Sequence, residues 1–241
     1  MKLAAFMQSF SRYAADPTPA GLERFLADHP DWRPDPVRVS IYGHGVWRGV
    51  THVVELIHED ALLPLDDAQR RELLAAWFAT RPARHFEINH AVEGFAEFLE
   101  GRPGLPPWVP QLARLEWAVF TSAAWADEPG PPDAPLHPHP GLSVLQLDWH
   151  LCRWLAAPQE ERRRPGAQPD PGSELALVWR DPKSHLSRWL RASDRELLAL
   201  KVAAEGLSIA QAVAAGVEEG LLREVLAEAR EIGLVCGALP A

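Results

Sequence analysis

The chain has 241 residues, 47% of them apolar, which is enough to bury one large core or two smaller ones. Its formal net charge of −9 argues against a general nucleic-acid or anionic-membrane binder, because both need a basic surface. Its two cysteines are too few for a disulfide framework. The N-terminus lacks the sustained apolar segment of a signal peptide, and we expect a cytoplasmic protein with reduced, buried thiols.

The first half of the sequence predicts helices. Apolar residues recur there at helical spacing, and acidic residues open the segment "DDAQRRELLAAWFAT", where they favour a helix N-terminus. We therefore expect a helical N-terminal domain over residues 1–126. The predicted helical segments are 3–10, 22–26, 37–60, 66–80, 91–101 and 108–126.

A proline-rich stretch follows this half. Residues 127–141, "DEPGPPDAPLHPHPG", hold six prolines and two glycines, a composition that propagates neither a helix nor a sheet. This stretch is the predicted linker between two domains. A second polar stretch at 158–173 predicts a long loop or a disordered insertion.

The sequence beyond the linker changes character. "LSVLQLD" alternates with period two, while "ELALVWR" and "HLSRWLR" predict a hairpin around residues 181–184. Three helical segments come next, and Ser193 with Glu196 forms the capping-box pattern that opens the first of them. Residues 142–241 therefore predict a winged-helix-like domain, and the expected fold class is mainly α with a small antiparallel sheet.

A winged-helix order suggests DNA binding as one alternative, a transcriptional regulator. The predicted recognition helix over 217–232 carries five glutamates against two arginines, a balance of −3. An element that enters a groove walled by phosphates should not be acidic. The charge of this helix argues against that alternative.

Patterns for metal binding and catalysis are not present in the sequence. The ten histidines include no His-Glu-x-x-His motif, and His44, His52 and His58 are spaced so that they do not converge on one helix face. Ser193 and Ser208 are better explained as helix caps than as nucleophiles. We expect no catalytic residue, no metal ligand and no cofactor in this chain.

Peptide recognition is the function that remains after DNA binding, metal binding and catalysis are set aside. The predicted hairpin 174–191 is basic by two charges, and a sheet edge offers unpaired N–H and C=O groups to an extended peptide. A half-buried strand with a solvated basic face is the alternative interpretation. The candidate contacts are Trp179, Arg180, Leu186, Arg188, Trp189 and Arg191.

Two segments of the N-terminal half, "RVSIY" at 38–42 and "QLARLEWAVF" at 111–120, resemble a bacterial family first described as DNA-binding. Its members accompany multinuclear non-heme iron oxygenases that modify cysteines in ribosomally made peptides, as in methanobactin and 3-thiaglutamate biosynthesis. The resemblance extends over roughly residues 35–235. The residues that match its motifs, to which we assign structural roles, are Arg38, Tyr42, Arg114, Glu116 and Trp117.

The resemblance implies a non-catalytic subunit in a heteromeric complex. Such a subunit would bind the leader of a ribosomal precursor peptide and present its cysteine to the oxygenase, which holds the iron. The peptide is then expected to rest on helix 217–232 as well, with contacts to Leu222, Arg223 and Leu226. A purely structural subunit that never touches the peptide is a further alternative.

Overall fold

The computed structural model describes residues 3–32, 35–80, 88–124 and 134–240. Helices dominate, and the strands form small antiparallel sheets, as predicted from the sequence. The chain divides into two compact units, Met1–Ala113 and Arg114–Ala241. The division falls inside the helix Val109–Ala123, whose residues from Arg114 onward belong to the C-terminal unit.

The N-terminal unit is helical where it is described, and the long helix predicted over 37–60 forms as one piece despite its three glycines. Thr18 and Asp35 cap the second and third helices, each with its side chain accepting a backbone N–H, and a proline begins both. The α-helices of this half of the chain are α1 Leu3–Ala15, α2 Pro19–Ala27, α3 Pro36–Ile57, α4 Asp67–Thr80, α5 Phe95–Leu99 and α6 Val109–Ala123, of which α6 continues into the C-terminal unit.

One glycine lets α1 pack closely on α3. Tyr13 of α1 is buried, and its ring lies against Gly43 of α3, where an added Cβ would stand 2.7 Å from the phenolic oxygen. An added Cβ at Gly45, two residues further along α3, would meet nothing within 4 Å. The close approach therefore depends on Gly43 alone of these two.

The helix predicted over 91–101 is wrong in its bounds. A 3₁₀ helix spans Ile88–Val92, and the short α5 begins only after Gly94, whose φ of 84° is left-handed. A left-handed residue interrupts the α-helical hydrogen-bond pattern, and glycine adopts that conformation without the steric cost that a side chain adds. The apolar spacing predicted a helix but gave no sign of this interruption.

The C-terminal unit contains the three predicted strands followed by the three predicted helices, in the predicted order. Two short helices between the first and second predicted strands, and two further strands of two residues each, were not predicted. The elements are β1 His137–Pro138, β2 Ser143–Trp149, α7 Leu151–Ala156, α8 Gln159–Arg162, β3 Pro171–Arg180, β4 Ser187–Arg191, α9 Asp194–Glu205, α10 Ile209–Ala214, α11 Glu219–Glu231 and β5 Val235–Cys236.

The three-stranded sheet has the order β2–β3–β4, with both neighbouring pairs antiparallel. Its central strand β3 packs one face on α9, α10 and α11 through a shared core. Both predicted caps are confirmed, since Ser193 with Glu196 and Ser208 with Gln211 form capping boxes at α9 and α10. The buried members of the core are Leu136, Leu177, Trp179, Ala199, Val202, Ala203, Ile209, Ala212, Leu222, Val225, Leu226, Ala229, Leu234 and Val235.

The predicted linker 127–141 needs correction in its second half, and its residues 127–133 lie outside the described residues. From residue 134 onward the chain belongs to the C-terminal unit, because β1 pairs with β5 and His139 donates its N–H to Leu234 O at 3.0 Å. Proline is tolerated here because a two-residue edge strand needs few N–H donors. The loop predicted at 158–173 contains α8 and the first residues of β3.

Candidate functional site

Strand β4 forms one edge of the three-stranded sheet. The N–H of Asp181 donates to Leu186 O at 2.8 Å, and the N–H of Ala192 donates to Leu175 O at 2.7 Å, which fixes the register against β3. In an antiparallel ladder the hydrogen-bonded residues alternate. Every second residue of β4, beginning with Arg188, therefore turns its backbone toward β3.

The residues in between, Ser187, Trp189 and Arg191, turn their N–H and C=O groups away from β3. Among the described residues, no backbone group hydrogen-bonds to these outward-facing groups. The Oγ of Ser187 donates to Val119 O at 2.5 Å and accepts from Ser122 Oγ at 2.7 Å, so the end of α6 covers this side chain. The open part of the edge is therefore the stretch at Trp189 and Arg191.

The side chains at this edge differ in how accessible they are. Leu186 is 68% exposed just before β4, Trp189 is half-buried, and Arg191 is exposed. Among the described residues the guanidinium of Arg191 has no hydrogen-bond or ion-pair partner. The edge therefore offers an apolar side chain at Leu186, an indole at Trp189 and an unpaired guanidinium at Arg191, in that order along the chain.

The other basic side chains of the hairpin are engaged within the fold. Arg188 pairs with Oδ2 of the buried Asp181, and Nε of Arg180 donates to His185 O at 3.2 Å. Lys183 lies 3.9 Å from a carboxylate oxygen of Glu231. Arg188 and Lys183 are therefore paired with carboxylates and Arg180 with a carbonyl oxygen, which leaves Arg191 available.

Three predicted contacts need correction because they are core residues. Trp179 is 1% exposed and its Nε1 donates to Ile232 O at 2.9 Å. Leu222 and Leu226 are buried in the same core, where the apolar stripe of α11 packs on the sheet. A surface-bound peptide cannot reach them in this fold.

The exposed face of α11 is charged rather than apolar. Arg223 is exposed and pairs with Glu219 at 2.9 Å, one turn earlier. Arg195 of α9 bridges Glu224 and Glu228 at 2.8 and 2.7 Å. Both glutamate side chains stay more than half exposed, so the helix keeps an acidic surface that disfavours contact with phosphates.

A buried polar cluster on the opposite side of β3 was not anticipated from the sequence. Glu174 is 3% exposed, its Oε1 accepts the N–H of Cys152 at 2.8 Å, and Nδ1 of His150 lies 3.7 Å from its Oε2. Burial, aided by the neighbouring carboxylate, raises the pKa of Cys152 to about 12. The thiol therefore stays neutral at pH 7 and is a poor nucleophile.

The histidines do not assemble into a metal site within the described part of the chain, where no three His, Cys, Asp or Glu side chains are grouped to hold an ion. His58 is fully buried at the end of α3 and its ring stacks on Phe95 at 4.9 Å. Burial lowers the pKa of His58 to about 3, so the ring is neutral at physiological pH.

The motif residues of the N-terminal half fall into two groups. On α6, Glu116 is buried, Arg114 is half-buried, and Trp117 is half-buried and stacks on Phe120 at 5.6 Å. On α3, Arg38 is exposed and Tyr42 is 68% exposed. Neither Arg38 nor Tyr42 packs into a core among the described residues, so the structural role assigned to them stays a prediction.

No known family model matches the chain, and no curated protein matches it. None of the described helices is long and apolar enough to cross a membrane.

Proposed function

We propose that this chain is a non-catalytic subunit that binds an extended segment of a ribosomal precursor peptide by adding it as a further strand beside β4. The observation that carries this proposal is the row of outward N–H and C=O groups at Ser187, Trp189 and Arg191, which have no backbone partner among the described residues. An extended peptide satisfies such groups without any rearrangement of the sheet.

The side chains of β4 define the peptide that would fit. A peptide antiparallel to β4 places one residue opposite Arg191 and the residue two positions later opposite Trp189. Charge complementarity favours an acidic residue opposite Arg191, and the half-buried indole favours an apolar one opposite Trp189. The residue between them faces the partly buried Leu190, and the proposed motif reads acidic, apolar, apolar.

The partner and the chemistry are proposed from the resemblance of residues 38–42 and 111–120 to subunits of peptide-modifying complexes. A multinuclear non-heme iron oxygenase would hold the iron and oxidise the cysteine of the peptide, in a cytoplasmic heterodimer. This chain would contribute positioning, because an anchored leader raises the effective concentration of the cysteine at the enzyme. Neither Cys152 nor Cys236 forms a disulfide, in keeping with a reducing compartment.

A scan of backbone methylation tests strand addition directly. The probe is a fluorescein-labelled synthetic peptide that carries the proposed acidic, apolar, apolar motif followed by a cysteine, titrated into the chain while anisotropy is followed. Methylating a backbone nitrogen that pairs with β4 removes a donor and adds bulk, whereas the next nitrogen faces away. Strand addition predicts loss of affinity at every second position, by about tenfold or more. Uniform tolerance along the leader would refute binding at a sheet edge.

Substitutions on the chain locate the edge. Arg191→Glu should weaken binding by about tenfold, since it replaces an attraction with a repulsion. Lys201→Glu is the matched control, because Lys201 is an exposed cation on α9 and its reversal should leave affinity unchanged. Equal affinities of the two variants would reject β4 as the site. Salt-sensitive binding to duplex DNA without any peptide affinity would instead favour the transcriptional regulator.

A further inference from the structure

The N-terminal unit contains an apolar groove of about 490 Å³ beside the first two turns of α3. The groove is lined by Phe6, Met7, Phe10, Trp32, Asp35, Arg38, Val39 and Tyr42. This volume lies within the roughly 300–1,000 Å³ typical of small-molecule sites, which are mostly apolar with a few placed polar groups. The groove has both properties, since six of its eight lining residues are apolar or aromatic.

The floor of the groove is preformed. Val39 is 4% exposed, and the ring of Phe6 meets that of Trp32 edge to face at 5.1 Å. Phe25 beneath them is 2% exposed and holds both Phe6 and Trp32 at centroid distances of 5.6 and 5.7 Å. These ring contacts fix the apolar surface before any ligand arrives, so ordering it costs little on binding.

The two charged residues of the groove differ in their commitments. The carboxylate of Asp35 accepts the N–H of Val37 at 2.9 Å as the N-cap of α3. The guanidinium of Arg38 has no hydrogen-bond or ion-pair partner among the described residues. The N-terminal end of α3 adds a further positive potential on the same side. Asp35 and Arg38 balance in formal charge, but the carboxylate is bound to the helix end while the guanidinium is left to bind a ligand.

We propose that this groove binds a small amphipathic carboxylate, with its aliphatic or aromatic body on the rings of Phe6 and Trp32 and its carboxylate on Arg38. A planar guanidinium binds a carboxylate through two parallel hydrogen bonds. The groove lies in the unit Met1–Ala113, whereas β4 lies in the unit Arg114–Ala241. This proposal therefore does not rest on the peptide-binding function. In this proposal the exposed side chains of Arg38 and Tyr42 contact the ligand.

Decanoate is a suitable probe, and the methionines offer a local readout. The chain has two methionines, Met1 and Met7, and Met7 lines the groove. Protein labelled with ¹³C at the methionine methyl groups thus gives two signals, and Met7→Leu assigns them. Decanoate should shift the Met7 signal saturably, with a dissociation constant on the order of 1 mM or below. Decanol and decylamine, with the same chain and no carboxylate, should bind at least about fivefold more weakly.

Two substitutions on exposed positions test the assignment without endangering the fold. Arg38→Leu should weaken decanoate binding by about tenfold and leave decanol unchanged. Tyr42→Glu should abolish decanoate binding by repulsion, while Leu56→Glu should not. Tyr42 and Leu56 are 68% and 67% exposed on the same helix, and Leu56 does not line the groove.

Circular dichroism confirms that each variant is folded before titration. The proposal is overturned if decanoate fails to shift the Met7 signal, or if decanol and decylamine shift it with equal affinity. Unchanged decanoate affinity in Arg38→Leu would also overturn it. A groove that merely awaits the side chain of a protein partner would give the second result, because any apolar chain would then fill it alike.

Discussion

Replacing Asp181 should destabilise the C-terminal unit, because its buried carboxylate holds the turn that leads into β4. Oδ1 accepts the N–H groups of Lys183 and Ser184 at 2.7 and 3.0 Å, and Oδ2 pairs with Arg188. The hydrogen bond from Ser184 is the main cause of a pKa of Asp181 below its ordinary value, and the bond from Lys183 and the Arg188 charge add to it. The turn sets the start of the edge at which we place the peptide.

The expected loss in the free energy of unfolding follows from these contacts. A hydrogen bond to a charged acceptor contributes about 1.5–3 kcal/mol, and a half-exposed ion pair about 0–1 kcal/mol. Lys183 and Ser184 are exposed, so water can rehydrate their N–H groups, and the lower end applies. We expect Asp181→Ala to cost about 3 kcal/mol. Asp181→Asn should cost about 1 kcal/mol, because an amide oxygen still accepts both bonds.

The effect should also depend on pH. A carboxylate whose pKa is lowered by folding stabilises fully above its unfolded pKa of about 3.9, and this stabilisation is lost as pH falls through the folded value. The free-energy difference between wild type and Asp181→Asn should therefore shrink below about pH 4.

Urea denaturation followed by circular dichroism measures these differences. Asp170→Ala is the matched control, since the side chain of Asp170 is 71% exposed and its loss should cost under about 0.5 kcal/mol. The reasoning fails if Asp181→Ala is as stable as that control, or if Asp181→Asn costs as much as Asp181→Ala.

The remaining predictions concern packing, protonation and thiol reactivity. Gly43→Ala should lower stability by about 1–3 kcal/mol in thermal or urea unfolding, because its Cβ would meet the Tyr13 ring, while Gly45→Ala on the same helix should raise it by about 0.5–1 kcal/mol. The buried neutral His58, with a pKa of about 3, should make stability fall by up to about 1.4 kcal/mol per pH unit below about pH 6, and His58→Phe should remove this slope. A thiol reagent at pH 8 should label Cys236 and spare Cys152 until the chain unfolds, so Cys152→Ser should leave the labelling rate unchanged.

Local patterns in the sequence determined most of the elements. Ser193 and Ser208 open helices because a hydroxyl and a side chain three residues later satisfy the first backbone groups, an interaction that needs no distant partner. The period-two alternation of residues 142–148 and the turn residues at 181–184 likewise indicated strands that the structure confirms. These features depend on neighbours within a few positions, so the sequence specifies them directly.

The tertiary structure alone decided which side chains remain accessible. Trp179 and Trp189 both lie on strands and both are aromatic, yet Trp179 is covered by α11 and Trp189 lies beside an open edge. Period-two spacing says which residues share a face but not what covers that face. Helical spacing has the same limit: it placed Leu222 and Leu226 on one face of α11, but only the structure shows that this face is buried in the core.

Long-range contacts also form two features that the sequence did not predict, the buried cluster at Glu174 and the apolar groove. Glu174 meets Cys152 and His150 only because β3 pairs with β2 and brings a carboxylate under α7. The apolar groove exists only because α1 packs against α3 across Gly43 and leaves Arg38 at its rim. The sequence by itself therefore determined the helices, strands, caps and turns, which are set by near neighbours. Burial, ion pairs and the groove depend on contacts between residues far apart in the chain, and only the tertiary structure brings those residues together.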